Sequence, residues 1–309
     1  MLAGVRTEIF ALPRDRAIAL LAGLDALHLA GTGGDGAPSI AQVHATVAGG
    51  FVTLHGVPPG LDGAVALHGT RVLATLPDDG ATTPGSSLRE SVSLHGRLER
   101  LGDGSGNARL PLDRIAGEAR LGQELAPDSR RALLEALWRR GLPGDPAAIE
   151  RVREANPDTP APDFLAGPSG ATLSCALDPR DLDAAVELLK DEYWNTGLAR
   201  EVVSGAQLAS GAWIGARDPN GRLIGNARAT GDRTKYAWIY DVIVDPAWRG
   251  RGLGQALMRL LLDHPLVRGA RTVLLNTRDA QGLYARFGFV DRATVKSPFA
   301  TTAMVLRRF

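Results

Sequence analysis

Glycines and arginines alternate in one short segment, Arg249-Gly250-Arg251-Gly252-Leu253-Gly254. The segment follows an apolar run that ends at Pro246, and leucines at helical spacing come after it. The first turn of a helix carries unpaired backbone N–H groups and a partial positive charge, which together suit a phosphate group. Glycine lets a ligand approach the backbone closely, and two arginines add positive charge. The segment therefore predicts a binding turn for a diphosphate or a polyphosphate.

Two common phosphate motifs do not fit this segment. The Walker pattern requires Gly-Lys-Ser/Thr, and the dinucleotide fingerprint requires a different glycine spacing followed by an acidic residue. The pattern here is Arg-x-x-Gly-x-Gly. A basic glycine-rich turn can also be a plain surface loop, so the interpretation depends on what accompanies it in the chain.

A second motif lies downstream, at residues 274–289, which read Leu-Leu-Asn-Thr-Arg-Asp-Ala-Gln-Gly-Leu-Tyr-Ala-Arg-Phe-Gly-Phe. In this order, the two segments resemble the paired motifs of the GNAT (Gcn5-related N-acetyltransferase) superfamily. The resemblance spans nearly all of residues 171–309. It implies an enzyme that transfers an acetyl group from acetyl-CoA to an amine, either on a small molecule or on a peptide.

The resemblance also implies roles for individual residues. The backbone amides from Arg249 to Gly254 would bind the CoA pyrophosphate. Tyr284 would protonate the CoA thiolate as it leaves, because a neutral phenol beside the sulfur is a suitable donor. Without the motif, Tyr284 would be interpreted as a half-buried aromatic residue on a helix. Three backbone positions would hold the pantetheine arm and the acetyl carbonyl: Val242, Ile243 and Val244.

Amine acetylation also requires that the acceptor nitrogen lose a proton, to a carboxylate or to water. Asp241 lies at the strand position where many relatives carry an acidic residue, so it is either this base or a salt-bridged carboxylate. Relatives often have an asparagine where this chain has Thr277, and the neighbouring Asn276 could take over that contact with CoA. The acceptor pocket is expected to use the Tyr193-Trp194 region, the loop from Gly231 to Tyr236, and the C-terminal strands.

The elements that must position these residues alternate between strand and helix after residue 170. Asp178 followed by Pro179 predicts the start of a helix, and Asn220-Gly221 predicts a hairpin turn. This order predicts an α/β domain with a mixed sheet. The predicted strands cover 172–177, 212–217, 223–229, 237–244 and 272–276, with terminal strands near 289 and at 302–306, and the later helices cover 201–208, 252–262 and 280–287.

The first half of the chain has a different pattern. Short β-like runs separated by glycine-rich turns extend from residue 26 to residue 100, which favours a small antiparallel barrel or sandwich. The proline-rich segment 156–170 predicts a linker. We therefore predict two domains, 1–168 and 171–309. Helices are predicted in the first half at 18–22, 127–138 and 147–155.

Four segments of this half resemble the FMN-binding split barrel of pyridoxamine 5′-phosphate oxidase-like proteins: 36–56, 91–99, 114–123 and 137–141. The resemblance implies a mostly antiparallel β split barrel with flanking helices, FMN as a cofactor, and a homodimer that buries the flavin sites between subunits. A flavin phosphate needs cations or a nest of amides. Where relatives often carry basic residues, this chain has Ser39-Ile40 and residues 60–62 (Gly-Leu-Asp). An FMN-binding domain and a purely structural one both remain as alternatives.

Histidine and cysteine usage predicts no metal site. Cys175 is the only cysteine, which excludes an intrachain disulfide, and it falls in a predicted strand as a buried thiol. Five histidines lie in the first half without the spacing of a local metal-ligand pair, and we expect them at core or pocket positions: His28, His44, His55, His68 and His95.

Composition narrows the class of protein. The formal net charge is +1 at pH 7, with 44% hydrophobic and 22% charged residues, which is ordinary for a globular protein. Such a balance argues against electrostatic binding of nucleic acid or membranes. The N-terminus lacks the long apolar run of a signal peptide, and no window resembles a transmembrane helix, so a cytoplasmic protein is expected.

The leading function is an acetyl-CoA:amine N-acetyltransferase fused to a split-barrel domain. One alternative is a flavin-dependent oxidoreductase, or a flavin-binding protein, with an accessory GNAT domain. Another is a non-catalytic sensor that binds acetyl-CoA without turnover.

Overall fold

The computed structural model describes residues 10–75, 87–102 and 105–295. The chain divides into two compact units, Met1–Asp163 and Phe164–Phe309. The division falls inside the predicted linker, 156–170, and not at its end. The reason is that Ala166 pairs with Thr172, and the N–H of Gly167 donates to the carbonyl of Ala171 at 2.9 Å. These bonds tie the last part of the proline-rich segment to the second unit. No helix in the described ranges is long and apolar enough to cross a membrane.

The first unit is built on an antiparallel sheet. Strand pairings join β4, β1, β2, β3, β6 and β5 in that order, and β4 also pairs with β5, so that these strands form a closed ring to which β7 is added beside β5. The strands are β1 (Leu27–Thr32), β2 (Pro38–Ala48), β3 (Phe51–His55), β4 (Gly63–Thr75), β5 (Ser87–Arg100), β6 (Ala108–Pro111) and β7 (Ile115–Arg120), and the helices are α1 (Arg14–Ala22), α2 (Pro127–Arg140) and α3 (Asp145–Ala155).

Alternate residues of these strands face the core, as Leu27 and Leu29 do in β1. The histidines belong to the other set of positions. The prediction of core positions was therefore wrong for four of the five histidines. Side chains alternate between the two faces of a strand, and the leucines occupy the inner face. His55 is half-buried, and the exposed histidines are His28, His44, His68 and His95.

The second unit has the predicted mixed sheet between helices, which confirms the α/β architecture. The strand order is β12-β11-β10-β9-β8, and only the β11–β12 pair is parallel. The strands are β8 (Thr172–Ser174), β9 (Ala212–Arg217), β10 (Leu223–Gly231), β11 (Tyr236–Val244) and β12 (Thr272–Leu274), and the helices are α4 (Leu182–Leu189), α5 (Arg200–Leu208), α6 (Leu253–Asp263) and α7 (Gln281–Ala285).

Two strand predictions in this unit were wrong. Cys175 is buried but lies just beyond β8, because the pairing of β8 with β9 ends at Ser174. Phe289 is not in a strand: its N–H donates to the carbonyl of Tyr284 at 3.3 Å, and its ring packs edge-on against the Tyr284 ring. It therefore closes the end of α7. The predicted strand 302–306 lies outside the described residues.

Candidate active site

A cleft of about 710 Å³ opens beside β11. The parallel pairing of β12 with β11 ends where Trp238 faces Leu274, and beyond that point the two segments separate. Residues 275–280, together with Leu283 and Tyr284, line the cleft across from the second half of β11. The sheet is therefore opened along one strand edge, at the carboxyl end of β11.

β11 is interrupted by a bulge at Asp241. The ladder with β10 changes register between Asn226 and Arg228, where β11 has one residue more than its partner. Asp241 has a positive φ of 53°, a left-handed conformation that is uncommon for a residue other than glycine. A bulge of this kind bends a strand and re-aims the residues beside it. The backbone from 242 to 244 follows directly and lines the cleft.

A buried polar network holds the bulge. The Oδ2 atom of Asp241 accepts hydrogen bonds from Nε of Arg228 at 2.5 Å and from Nε2 of Gln207 at 2.8 Å. Oε1 of Gln207 in turn accepts from Nε1 of Trp213 at 3.1 Å, and Nδ2 of Asn226 donates to the carbonyl of Asp241 at 3.1 Å. Gln207 and Asn226 are 1% and 0% exposed, so these bonds form away from water.

This network bears on the expected role of Asp241. Of the two interpretations of the sequence, the structure has the salt-bridged carboxylate, with 7% of its side chain exposed. Both Arg228 and Gln207 would have to move before Oδ2 could take a proton from an amine. The side chain is better placed to stabilise the bulge than to act as a general base.

The glycine-rich turn leads into α6. Gly250 and Gly252 have φ values of 77° and 83°, which favour glycine at both positions. Within the part of the chain that the structure describes, the backbone N–H groups of residues 250–254 donate no hydrogen bond. A row of unpaired donors at a helix start is the arrangement that binds phosphate oxygens.

The two arginines of the turn already have partners. Nε of Arg249 donates to the carbonyl of Val244 at 3.0 Å, and its Nη2 lies 3.7 Å from Oε1 of Glu192. The Arg251 guanidinium lies over the Trp248 ring, 4.9 Å from its centre. The unpaired amides are therefore the groups of the turn that remain available to an anion, and the arginines contribute charge beside them.

Tyr284 lies on α7, lines the cleft and is 8% exposed. Burial, followed by the nearby Tyr193 and Asp279, raises the pKa of its phenol above the ordinary value of 10. The phenol is therefore protonated at neutral pH, as a proton donor must be. Asn276 is exposed at the cleft, whereas Oγ1 of Thr277 accepts from the N–H of Ala280 at 3.0 Å and supports the approach to α7.

The structure brings seven of the predicted site residues to this one cleft, namely Asp241, Val242, Ile243, Val244, Arg249, Asn276 and Tyr284. The rest of the turn, Gly250-Arg251-Gly252-Leu253-Gly254, is adjacent and does not line the cleft. A Cβ atom placed on Gly254 would lie 3.6 Å from the Leu283 side chain and 3.9 Å from the Val244 side chain. Leu283 and Val244 both line the cleft.

Only part of the predicted acceptor pocket lines this cleft. Tyr193 and Trp194 line the cleft, but the loop from Gly231 to Tyr236 does not. Tyr236 pairs with Thr272 at the start of β11, where β12 covers the strand edge, and it faces a separate groove. The C-terminal strand falls outside the described residues. Sequence reasoning assigned no role to several cleft or network residues: Gln207, Trp213, Asn226 and Arg228 lie outside both motifs, and Arg278 lies inside the second one.

The turn at residues 60–62 of the first unit does not fit an FMN phosphate. Nε of Arg100, the cation at this turn, donates to Oδ1 of Asp62 at 3.0 Å, and its Nη2 donates to the carbonyls of Pro58 and Leu61. The guanidinium is thus engaged by the turn itself. We derive no flavin chemistry from these residues. Across the described ranges, no three or more His, Cys, Asp or Glu side chains are grouped to hold a metal ion.

Comparison with known proteins gives a family for part of the chain. Residues 182–289 match the acetyltransferase (GNAT) family. Glucosamine 6-phosphate N-acetyltransferase 1 of Oryza sativa is 46% identical over 55 residues, which cover 18% of this chain and 33% of that protein. GCN5-related N-acetyltransferase 1 of Arabidopsis thaliana, a chloroplastic protein, is 40% identical over 71 residues, which cover 23% of this chain and 36% of that protein.

The chain thus spans about a third of the length of these curated relatives. Among solved structures, an acetyltransferase assigned to the GNAT family from Xanthomonas campestris is 31% identical. That match covers 43% of this chain and 96% of the other, with a TM-score of 0.37.

Proposed function

We propose, on the premise that residues 182–289 form a GNAT acetyltransferase domain, that the chain transfers the acetyl group of acetyl-CoA to an amine in the cleft beside β11. One observation carries the proposal. A single cleft contains an opened strand edge and a protonated tyrosine, and a turn of unpaired amides adjoins it. These are the parts that acetyl transfer from a thioester requires.

Binding of acetyl-CoA would use backbone groups more than side chains. The pantetheine arm carries amide groups, which pair with the edge of β11 at residues 242–244 as an added strand would. The pyrophosphate accepts hydrogen bonds from the amides of residues 250–254, at the positive end of α6. Asn276 and Arg251 lie beside these positions as polar and cationic supports.

The reaction is a transfer of the acetyl group from sulfur to nitrogen. The acceptor nitrogen attacks the thioester carbon, and the C–S bond breaks as the new C–N bond is completed. Tyr284 donates its proton to the departing thiolate, and the nitrogen loses its proton to water in the open cleft. Asp241 acts as a positioning residue in this scheme, in place of the base that its strand position suggested, because its Oδ2 is bound by Arg228 and Gln207.

Replacing Tyr284 by phenylalanine tests the proposal. Tyr284→Phe keeps the ring and removes the donated proton, so kcat for release of free CoA thiol should fall by about 100-fold or more, while the Kd for acetyl-CoA changes less than about twofold. Tyr236→Phe, on β11 but outside the cleft, is the matched control. Unchanged turnover in Tyr284→Phe, or no acetyl transfer to any amine by the natural chain, would overturn the proposal.

Three further expectations remain proposals: the first and third rest on the sequence pattern, and the second rests on the family resemblance. They are domain limits at 1–168 and 171–309, a homodimer formed through a split-barrel first domain, and a cytoplasmic location. The closed ring of strand pairings in the first unit supports a barrel-like first domain and does not bear on dimerisation. We propose no flavin-dependent reaction.

A further inference from the structure

We infer that the acceptor is an amine on an uncharged aromatic body, of the arylalkylamine class, and that the rings of Trp238 and Tyr240 hold this body. The inference rests on the proposed acetyl transfer and names the acceptor for the same cleft. Three features of the cleft carry it: a ring platform on β11, an aromatic opposite wall, and a balanced set of charges.

The platform comes from two residues of β11. Trp238 and Tyr240 are two positions apart, so they project from the same face of the strand. Their ring centres are 6.2 Å apart and the ring planes differ by only 18°, so the two rings lie nearly parallel, and the Arg228 guanidinium lies over the Tyr240 ring, 4.7 Å from its centre. Both line the cleft, and Tyr240 remains 39% exposed. They precede the bulge at Asp241, whereas the strand edge proposed for pantetheine follows it, so an acceptor on this surface would lie beside the acetyl end of the donor.

The opposite wall is aromatic as well. The rings of Tyr193 and Trp194 meet edge to face, with centres 4.9 Å apart. The Arg278 guanidinium lies 3.9 Å from the centre of the Tyr193 ring, and the N–H of Arg278 donates to the Tyr193 hydroxyl at 3.2 Å. Trp194 is 36% exposed, and Leu198 at the same cleft is 51% exposed. Exposed apolar side chains grouped in a cleft indicate a surface that a ligand covers.

The charges of the cleft are paired with one another. Recognition of an acceptor that carries a phosphate or a carboxylate would require a cation able to bind it. Each arginine lining the cleft already lies beside a carboxylate that also lines it, so the described residues offer an anion no net positive charge. The three pairs are Arg228 with Asp241 at 2.5 Å, Arg278 with Asp279 at 3.3 Å, and Arg249 with Glu192 at 3.7 Å.

A panel of acceptors tests the inference with the full chain and saturating acetyl-CoA, by release of free CoA thiol. The probes are 2-phenylethylamine and tryptamine, propylamine as the amine without a ring, glucosamine 6-phosphate, and a short lysine peptide. The two aromatic amines are expected to show kcat/KM values at least about tenfold above those of the other three, because the rings supply both apolar burial and ring stacking.

Two substitutions locate the effect on β11. Trp238→Ala and Tyr240→Ala should each raise KM for 2-phenylethylamine about tenfold and leave KM for acetyl-CoA unchanged. Tyr236→Ala is the matched control, since it removes an exposed ring from the same strand outside the cleft. Trp238→Phe keeps a ring at the first position and should restore most of the lost affinity. Tyr240→Ala remains the measurable loss variant if Trp238→Ala does not fold.

The outcomes separate this inference from the function on which it rests. If glucosamine 6-phosphate, the peptide or propylamine is acetylated as efficiently as the aromatic amines, the inferred acceptor class is wrong while acetyl transfer stands. The inference is equally overturned if Trp238→Ala and Tyr240→Ala behave as Tyr236→Ala does. Absence of acetyl transfer to every amine would overturn the proposed function itself, and the inference with it.

Discussion

Single residues of the second unit differ in whether they act in the cleft or maintain the fold, and His264 belongs to the second kind. It lies just after α6, is 2% exposed, and its Nδ1 accepts from the N–H of Leu266 at 3.1 Å. Burial, followed by Arg233 and Arg268, lowers the pKa of the imidazole from 6.5 to about 3. The ring is therefore neutral in the folded chain well below neutral pH.

The lowered pKa of His264 predicts a dependence of stability on pH. The unfolded chain protonates this residue below pH 6.5, whereas the folded chain does so only near pH 3. Its contribution is complete above pH 6.5 and is lost as the pH falls towards 3, at about 1.4 kcal/mol per pH unit at most. Tryptophan fluorescence during urea unfolding measures this, because four of the five tryptophans lie after residue 164 (194, 213, 238 and 248).

His264→Asn is the informative comparison, because an asparagine oxygen can replace Nδ1 as the acceptor for Leu266 without titrating. The free energy of unfolding of this variant should change less between pH 6.5 and pH 5 than that of the natural chain. Equal changes in the two proteins would show that His264 is not buried in its neutral form.

At the scale of elements, the site depends on the break in β11 more than on any one side chain. The left-handed backbone of Asp241 costs about 1–3 kcal/mol, and such a conformation persists only where its surroundings impose it. Gln207 from α5 and Arg228 from β10 both bind the Asp241 carboxylate, so two neighbouring elements impose it together. The shape of the proposed acetyl-CoA site therefore depends on residues outside the surface where acetyl-CoA would bind.

Removing Gln207 from this network should weaken both stability and binding. Gln207→Leu leaves Nε1 of Trp213 without its acceptor and releases one donor from Asp241, at a cost of about 1–3 kcal/mol in the free energy of unfolding. KM for acetyl-CoA should rise several-fold because the bulge relaxes. Leu208→Ala, at the exposed next position of α5, should change stability by less than about 0.5 kcal/mol. Affinity for acetyl-CoA equal to that of the natural chain would contradict a positioning role for the network.

The elements also show what a sequence can and cannot predict. The Asp178 side chain accepts from the N–H of Arg180 at 2.9 Å, and Gly221 has a φ of 83°, so the helix start and the hairpin turn were confirmed. Each signal acts between near neighbours in the chain. The network around Asp241 joins four elements, α5, β9, β10 and β11, and depends on strand register. A one-residue bulge reverses the alternation of faces from which register is inferred. No local feature of the sequence marks the bulge or the network.

Over the whole molecule, the two units differ in what their charged side chains do. In the first unit, the buried carboxylate of Glu90 accepts hydrogen bonds from both Arg71 and Arg151. Arg100 donates to Asp62 in the turn at residues 60–62, so these arginines stabilise the fold. In the second unit, a cleft, a strand edge and a turn of unpaired amides come together. We therefore assign the proposed acetyl transfer to residues 164–309. In the first unit, apolar side chains face the core and most histidines face outward.

Titration of the full chain with acetyl-CoA by isothermal calorimetry measures whether the glycine-rich turn binds the donor, with Gly252→Glu and Gly221→Glu compared with the natural sequence. Gly252 and Gly221 share a φ of 83°, so the two substitutions impose similar backbone strain, but only the first places a carboxylate where the pyrophosphate should bind. We predict micromolar binding or tighter for the natural chain and for Gly221→Glu, and at least about 100-fold weaker binding for Gly252→Glu. If the natural chain does not bind acetyl-CoA, or if the two variants bind it equally well, the glycine-rich turn is not the site that holds the pyrophosphate.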